Sequence, residues 1–291
     1  MDVRRTVDEV LTAHELYPEL RTVYVEGGSD KAFIDWYVWA SRIDNLAVLP
    51  IDTIDVDDAL VQKHGLTAGS NRSRVLALAA ELAERQPDGE VGLLCIADRD
   101  FEDYRPCGVC DTYMAFTDYN ALELYAFNDG CMRKFVAIGL GGLRIGTDTL
   151  LTSLAQILGE VYAIRLANER LGWCMEWLSF APRYVVVEPP SITLRRDQFI
   201  RAYLLKNNRW ESRKEFAECL QAASADLLKD PGRRMRGHDL ADLLSHVIRK
   251  ASCPSKYTDS PTLERALMAA IERCQLDEMP LFERLVGLAS D

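Results

Sequence analysis

Three segments carry carboxylates where they could hold a metal ion. Glu26 closes the β-branched run TVYVE and stands directly before Gly27 and Gly28. Asp98 and Asp100 close VGLLCIADRD, the most apolar run in the chain. Residues i and i+2 of a strand share a face, so both aspartates are expected to meet one ion. Glu123 lies in TDYNALELYAF, at an expected strand-to-helix junction. Clustered carboxylates raise one another's pKa unless a cation joins them. Sets of hard oxygen ligands suit magnesium or manganese. His14, His64, His238 and His246 all fall outside the strand ends, which argues against zinc there. A single acid at a strand end is more often a turn former or a helix cap. The ordered set, with Gly-Gly after the glutamate and DxD after an apolar run, is what favours an ion site.

These acids need a scaffold that brings strand ends together. The N-terminal residues 1–18 read as an amphipathic helix with Val7, Val10, Leu11 and His14 on one face. Strands are expected at TVYVE, at Leu46 to Ile51, at VGLLCIAD and at Thr112 to Phe116. Helices are expected from Lys31 to Ser41, with Ser29 or Asp30 as cap, from Ser70 to Arg85, and from Asn120 to Ile138. Residues 52–70 read as polar and irregular. Alternating strands and helices imply an α/β fold with a mainly parallel sheet over residues 20–140. Sites in such sheets form beyond the carboxyl ends of the strands. The four glycines within 139–146 mark an expected boundary. After it the chain reads as mostly helical, over 147–170, 195–206, 211–228, 238–250 and 261–289, with a β-rich interruption at Tyr184 to Val187.

With 48% apolar residues in 291, the chain has enough to bury a sizeable core. No stretch approaches the roughly 18 uninterrupted apolar residues of a membrane span, and no apolar leader opens the sequence. A cytoplasmic protein with no membrane partner is therefore expected. The eight cysteines are scattered, which fits reduced thiols. Cys107 and Cys110 form one CxxC, but no second pair or HxxxH completes a zinc set. The net charge is −11, yet it is unevenly spread. Residues 195–214 hold Arg195, Arg196, Arg201, Lys206, Arg209, Arg213 and Lys214 against only Asp197 and Glu211. A second run holds Lys229, Arg233, Arg234 and Arg236 against Asp230. Each is either a solvated helix face or a surface for phosphates.

A strand ending in EG, followed about seventy residues later by a strand ending in DxD, resembles the TOPRIM fold. VYVEGGSDKAFIDWY, GLLCIADRDFED and TDYNALELYAF are similar to the DUF4435 branch of that family, and RGHDLADLL at 236–244 resembles its C-terminal region. This branch supplies the TOPRIM effectors of the PARIS anti-phage system. The resemblance implies a TOPRIM-like nuclease domain over 20–140, preceded by a helix at 1–19 and followed by a helical domain at 147–291 that binds a partner or nucleic acid. It makes Glu26 a general base or metal ligand, Asp98 and Asp100 the metal-binding pair, and Asp30 and Glu123 further carboxylates. Lys31 would stabilise a phosphate, or be a solvated helix lysine. Arg195, Arg196, Arg233, Arg234, Arg236 and His238 would contact nucleic acid. The activity implied is a magnesium- or manganese-dependent endonuclease acting on RNA, transfer RNA above all, with growth arrest as outcome. A homodimer on activation and restraint by a separate ATPase are implied too. This chain contains no GxxxxGK[ST], so ATP would have to be bound by another protein.

Competing readings remain. A regulatory module whose site merely holds a metal or nucleotide shares the same acids, and a DNA nuclease of the OLD type shares the fold. A haloacid-dehalogenase phosphatase also has DxD, but wants Thr or Val where Glu102 stands.

Overall fold

The computed structural model describes residues 4–89, 91–251 and 259–290. They form two compact units, Met1–Asp118 with Glu272–Asp291, and Tyr119–Ile271. The division thus falls at the end of a strand and not in the glycine-rich stretch 139–146. The last twenty residues return to the first unit.

In the first unit, α1 (Val7–Leu16) starts with a reciprocal capping box between Thr6 and Glu9. It is followed by β1 (Arg21–Val25), α2 (Gly28–Ala40) and β2 (Leu46–Pro50). Then come α3 (Asp58–Lys63), α4 (Asn71–Arg85), β3 (Leu93–Ala97) and β4 (Met114–Phe116). The four strands form one all-parallel sheet in the order β2-β1-β3-β4. Every residue of β3 is buried, as expected of a strand covered on both faces. On one face, α1, α3 and α4 pack Val10, Val61, Leu78 and Leu82 against Tyr24, Cys95 and Met114. α2 packs on β2. Its Phe33 and Tyr37 meet Phe282 with ring centroids 6.3 and 4.5 Å apart.

Three expectations shift here. The polar stretch 52–70 contains α3, whose N-cap Asp57 accepts from the Leu60 N–H. α2 begins earlier than expected, with Gly27 as its cap and the Asp30 carboxylate accepting from the Gly27 N–H. The segment expected as one helix over 261–289 is two.

The second unit contains α5 (Asp129–Lys134), α6 (Thr147–Leu171), α7 (Ala181–Tyr184), the antiparallel pair β5 (Val185–Glu188) and β6 (Ser191–Leu194), α8 (Arg196–Lys206), α9 (Arg213–Asp226), α10 (Gly237–Lys250) and α11 (Ser260–Met268). The expected helix 120–138 breaks into a 3-10 segment at Leu122–Ala126, α5, and a π segment at Phe135–Gly139. α6 is long and apolar enough to cross a membrane by composition, but most of that stretch is buried against its own unit, chiefly by α9. It is therefore read as a core helix. The chain ends with α12 (Pro280–Ser290), back in the first unit. There Arg284 donates to the carbonyls of Met114 at 2.6 Å and Thr112 at 2.8 Å, covering the open edge of β4.

Candidate functional site

β1 is joined to β2 on one side, whereas β3 continues to β4 on the other. Between β1 and β3 the connections therefore diverge, and this is where a parallel sheet opens a crevice at its carboxyl end. Glu26 is the first residue after β1, and Asp98 the first after β3. The Glu26 carboxylate accepts a hydrogen bond from the Asp98 N–H at 3.1 Å, which carries the pairing of the two strands one step past their ends.

The first turn of α4 clamps these two ends. Asn71 donates through Nδ2 to the Glu26 carbonyl at 2.8 Å. Arg72 donates to the Asp98 carbonyl and, at 2.7 Å, to the Glu102 carboxylate. Its Nη1 stands 3.9 Å from Glu26 Oε1, and its guanidinium lies 5.5 Å from the centroid of Phe116. Glu102 in turn accepts from the Cys107 N–H at 2.8 Å. Arg99 ties β3 to β4 by donating from its backbone to Thr117 Oγ1 at 3.0 Å and from Nε to the Thr117 carbonyl at 2.8 Å. Asn71, Arg72, Glu102 and Thr117 were not among the expected site residues. A charged residue in the first turn of an amphipathic helix reads as solvated, and only the sheet order brings it to the strand ends.

Burial pushes the Glu26 carboxyl up to about 7. The Asp98 N–H and Arg72 pull against this shift, and the charges of Asp30 and Asp100 add to it. A carboxyl in that state is short of positive charge, and a divalent cation would supply it. The donor chemistry therefore fits magnesium or manganese, with Glu26, Asp98, Asp100 and Asp30 as the residues available. The geometry differs from expectation in one respect. β3 ends at Ala97, and Asp100 sits in a turn with φ 46°, so strand alternation does not place the two aspartates on one face. These acids follow the carboxyl ends of β1 and β3, but no three of these residues bring one ligand oxygen each within 4.8 Å of one another.

The other expected residues fall as follows. Lys31 is ion-paired with Asp35 on the next turn of α2. Glu123 belongs to the second unit, where it approaches Gly237 so closely that a Cβ there would sit 2.2 Å from its Oε2. His238 Nδ1 contacts Glu264 Oε1 at 2.6 Å. The Glu264 hydrogen bond, helped by the charges of Glu264 and Glu123, raises His238 to about 9 against the opposing effects of burial and Arg236. Asp239 is buried and holds Arg165 bidentately at 2.7 and 2.8 Å. His238 and Asp239 of the RGHD stretch thus join the start of α10 to α11 and α6. Arg233, Arg234 and Arg236 are half-buried, and their segment is pinned by buried Asn120 through the carbonyls of Gly232 and Met235. Arg195 and Arg196 are exposed at the start of α8.

Among the described residues, two groups could hold a metal with ligand atoms within 4.8 Å of one another: His64, Glu81 and Glu84, and Glu123, His238 and Glu264. The first is already neutralised. Lys63 lies 2.6 Å from Glu81 and 2.8 Å from Glu84, and Arg85 lies 2.7 Å from Glu81. In the second, a metal would have to displace the proton that Glu264 holds on His238. Cys107 is half-buried and Cys110 exposed, both as free thiols, and neither appears in these groups. Cys253 lies outside the described residues.

No protein-family profile matches this chain. The comparison with curated proteins likewise returns no match.

Proposed function

We propose that this chain is a metal-dependent phosphodiesterase of the TOPRIM type, a nuclease whose substrate is RNA. The observation that carries the reading is Glu26, held at the Asp98 N–H at the divergence point of a parallel sheet, its carboxyl pushed up to about 7 first by burial and then by the charges of Asp30 and Asp100. That balance holds without metal; a bound cation would keep the carboxyl ionised, the state that a metal ligand or a general base requires. Magnesium, when bound among these acids, would polarise a phosphoryl oxygen and lower the pKa of a water molecule. The protein's own share is positional. Asn71 and Arg72 fix both strand ends, and Arg99 fixes the third, so the acids need little reorganisation.

The DUF4435 resemblance extends the proposal to transfer RNA as substrate, to restraint by a separate ATPase, to a homodimer on activation, and to a cytoplasmic toxin of anti-phage defence. The decisive experiment incubates purified protein with end-labelled transfer RNA in magnesium, manganese or chelator. Cleavage that needs the metal and disappears in Glu26→Gln supports the reading. Metal binding without cleavage of RNA or DNA would instead leave a regulatory module.

A further inference from the structure

We propose that the turn joining α8 to α9 is a stacking platform for single-stranded nucleic acid, built from Trp173, Trp210, Arg201, Arg209 and Arg213. It rests on the nuclease reading for the class of substrate and deepens it by naming the form, unpaired bases in preference to duplex.

Three exposed guanidinium groups are arranged on two indoles. Arg201 and Arg213 lie 5.6 and 5.2 Å from the centroid of Trp210, and Arg209 lies 5.0 Å from that of Trp173. Trp173 is itself anchored by stacking on buried Phe216, with centroids 6.0 Å apart and planes at 26°. The chain around it is fixed. Asn207 accepts from the Glu176 N–H at 2.7 Å and donates to the Glu176 carbonyl at 3.0 Å, and Lys206 donates to the Trp177 carbonyl at 2.9 Å. The turn that carries Arg209 and the segment that carries Trp173 are therefore held together.

A fourth pair shows what distinguishes the platform. Arg165 lies 3.5 Å from the centroid of Trp177, but its charge is consumed by buried Asp239. That pair belongs to the fold. Among the described residues, Arg201 and Arg209 have no carboxylate at ion-pair distance. Arg213 has only Glu211, at 4.0 Å and almost fully exposed. These charges face outward on a protein of net charge −11. Such a body attracts polyanions only where cations are concentrated.

Planar guanidinium groups already resting on aromatic rings lose little rotamer freedom when a ligand arrives. They offer phosphate contacts, and their exposed planes, backed by the indoles, are flat groups against which an unpaired base can stack. Bases inside a duplex are stacked on each other, so unpaired ones are the match. An acidic protein would use the guanidinium charge but not the indoles.

Binding of a fluorescent oligouridylate by the Glu26→Gln protein in chelator tests this without cleavage. Replacing Arg201, Arg209 and Arg213 together by Gln should weaken binding and flatten its salt dependence by about two powers of salt concentration, at roughly 0.7 per phosphate contact. Trp210→Ala should weaken it about tenfold and Trp210→Phe much less, since stacking needs only a ring. A blunt-ended duplex with every base paired should bind more weakly than the single strand. The proposal is overturned if the arginine set matters and Trp210→Ala does not, or if polyglutamate of equal charge displaces the oligonucleotide as well as unlabelled RNA does. Binding with these properties by a protein that never cleaves would sink the nuclease reading and leave the platform standing. Cleavage with unchanged binding in every variant would do the reverse.

Discussion

The Glu26 carboxylate accepts the Asp98 N–H at 3.1 Å, so two residues seventy-two apart in sequence share one hydrogen bond at the open end of the sheet. That bond favours the ionised carboxylate, yet burial and the charges of Asp30 and Asp100 outweigh it. Keeping Glu26 ionised therefore costs the metal-free fold free energy.

That cost is measurable as stability. The Glu26 carboxyl is about 7 in the folded protein, above the roughly 4.3 of an unfolded glutamate. Between those values the folded state binds more protons, so without metal its stability falls as pH rises from about 4.3 to about 7. Glu26→Gln should remove that fall. The variant should be about 1–3 kcal/mol more stable than the parent at pH 8 and equal to it near pH 4. Urea midpoints at the two pH values, in chelator, decide this. Cleavage should be lost in the same variant. A variant less stable than the parent at pH 8 would mean that Glu26 is a structural hydrogen-bond acceptor.

Arg72 lowers the Glu26 carboxyl while holding the Asp98 carbonyl and Glu102. Arg72→Met should therefore push Glu26 higher still. The acid limb of the cleavage pH profile should move to higher pH, and stability should fall by about 1–3 kcal/mol as Glu102 loses its partner. Arg72→Lys should restore part of the charge effect but not the forked contact. An unmoved pH profile alongside reduced stability would reduce Arg72 to scaffolding.

Glu81 sits with only 3% of its surface exposed. Burial alone would raise it, but hydrogen bonds from Lys63, His64 and Arg85 together hold it at about 2. The folded carboxyl is below its unfolded value, so its contribution is full above about pH 4.3 and is lost as pH falls toward 2. Glu81→Gln should cost about 1–3 kcal/mol at pH 7, and the difference from the parent should shrink toward pH 2. Thermal midpoints across that range provide the check. A penalty independent of pH would point to lost packing instead of lost charge.

The sheet was legible because its strands are apolar runs that stop at Glu26 and at Asp98. What followed those stops was not. Asp tolerates the left-handed region, so Asp100 could leave the strand without any signal in the DxD spacing. Arg72 lies on a helix whose apolar face was visible, but its partners depend on strand order. The break before α12 did carry a signal, since Pro280 at a first helical position marks a start. Gly237 shows the limit: its lack of a side chain makes sense only beside Glu123, more than a hundred residues away.

His238 offers a direct test of the second unit. It is exposed, yet Glu264 at 2.6 Å and the charge of Glu123 raise its imidazole to about 9. Protonated His238 thus favours the fold below about pH 6.5, and this contribution is lost as pH rises through 9. An NMR titration should place the His238 ring protons near that value and return them toward about 6.5 in Glu264→Gln. Glu123→Gln should lower it less, because Glu123 acts through charge without the hydrogen bond. Zinc or manganese added at pH 7.5 should release a proton if it enters the Glu123, His238 and Glu264 group, since a ligating imidazole must be neutral. A His238 that titrates near 6.5 in the parent would dissolve the ion pair, and with it the account of why RGHD closes on Glu264.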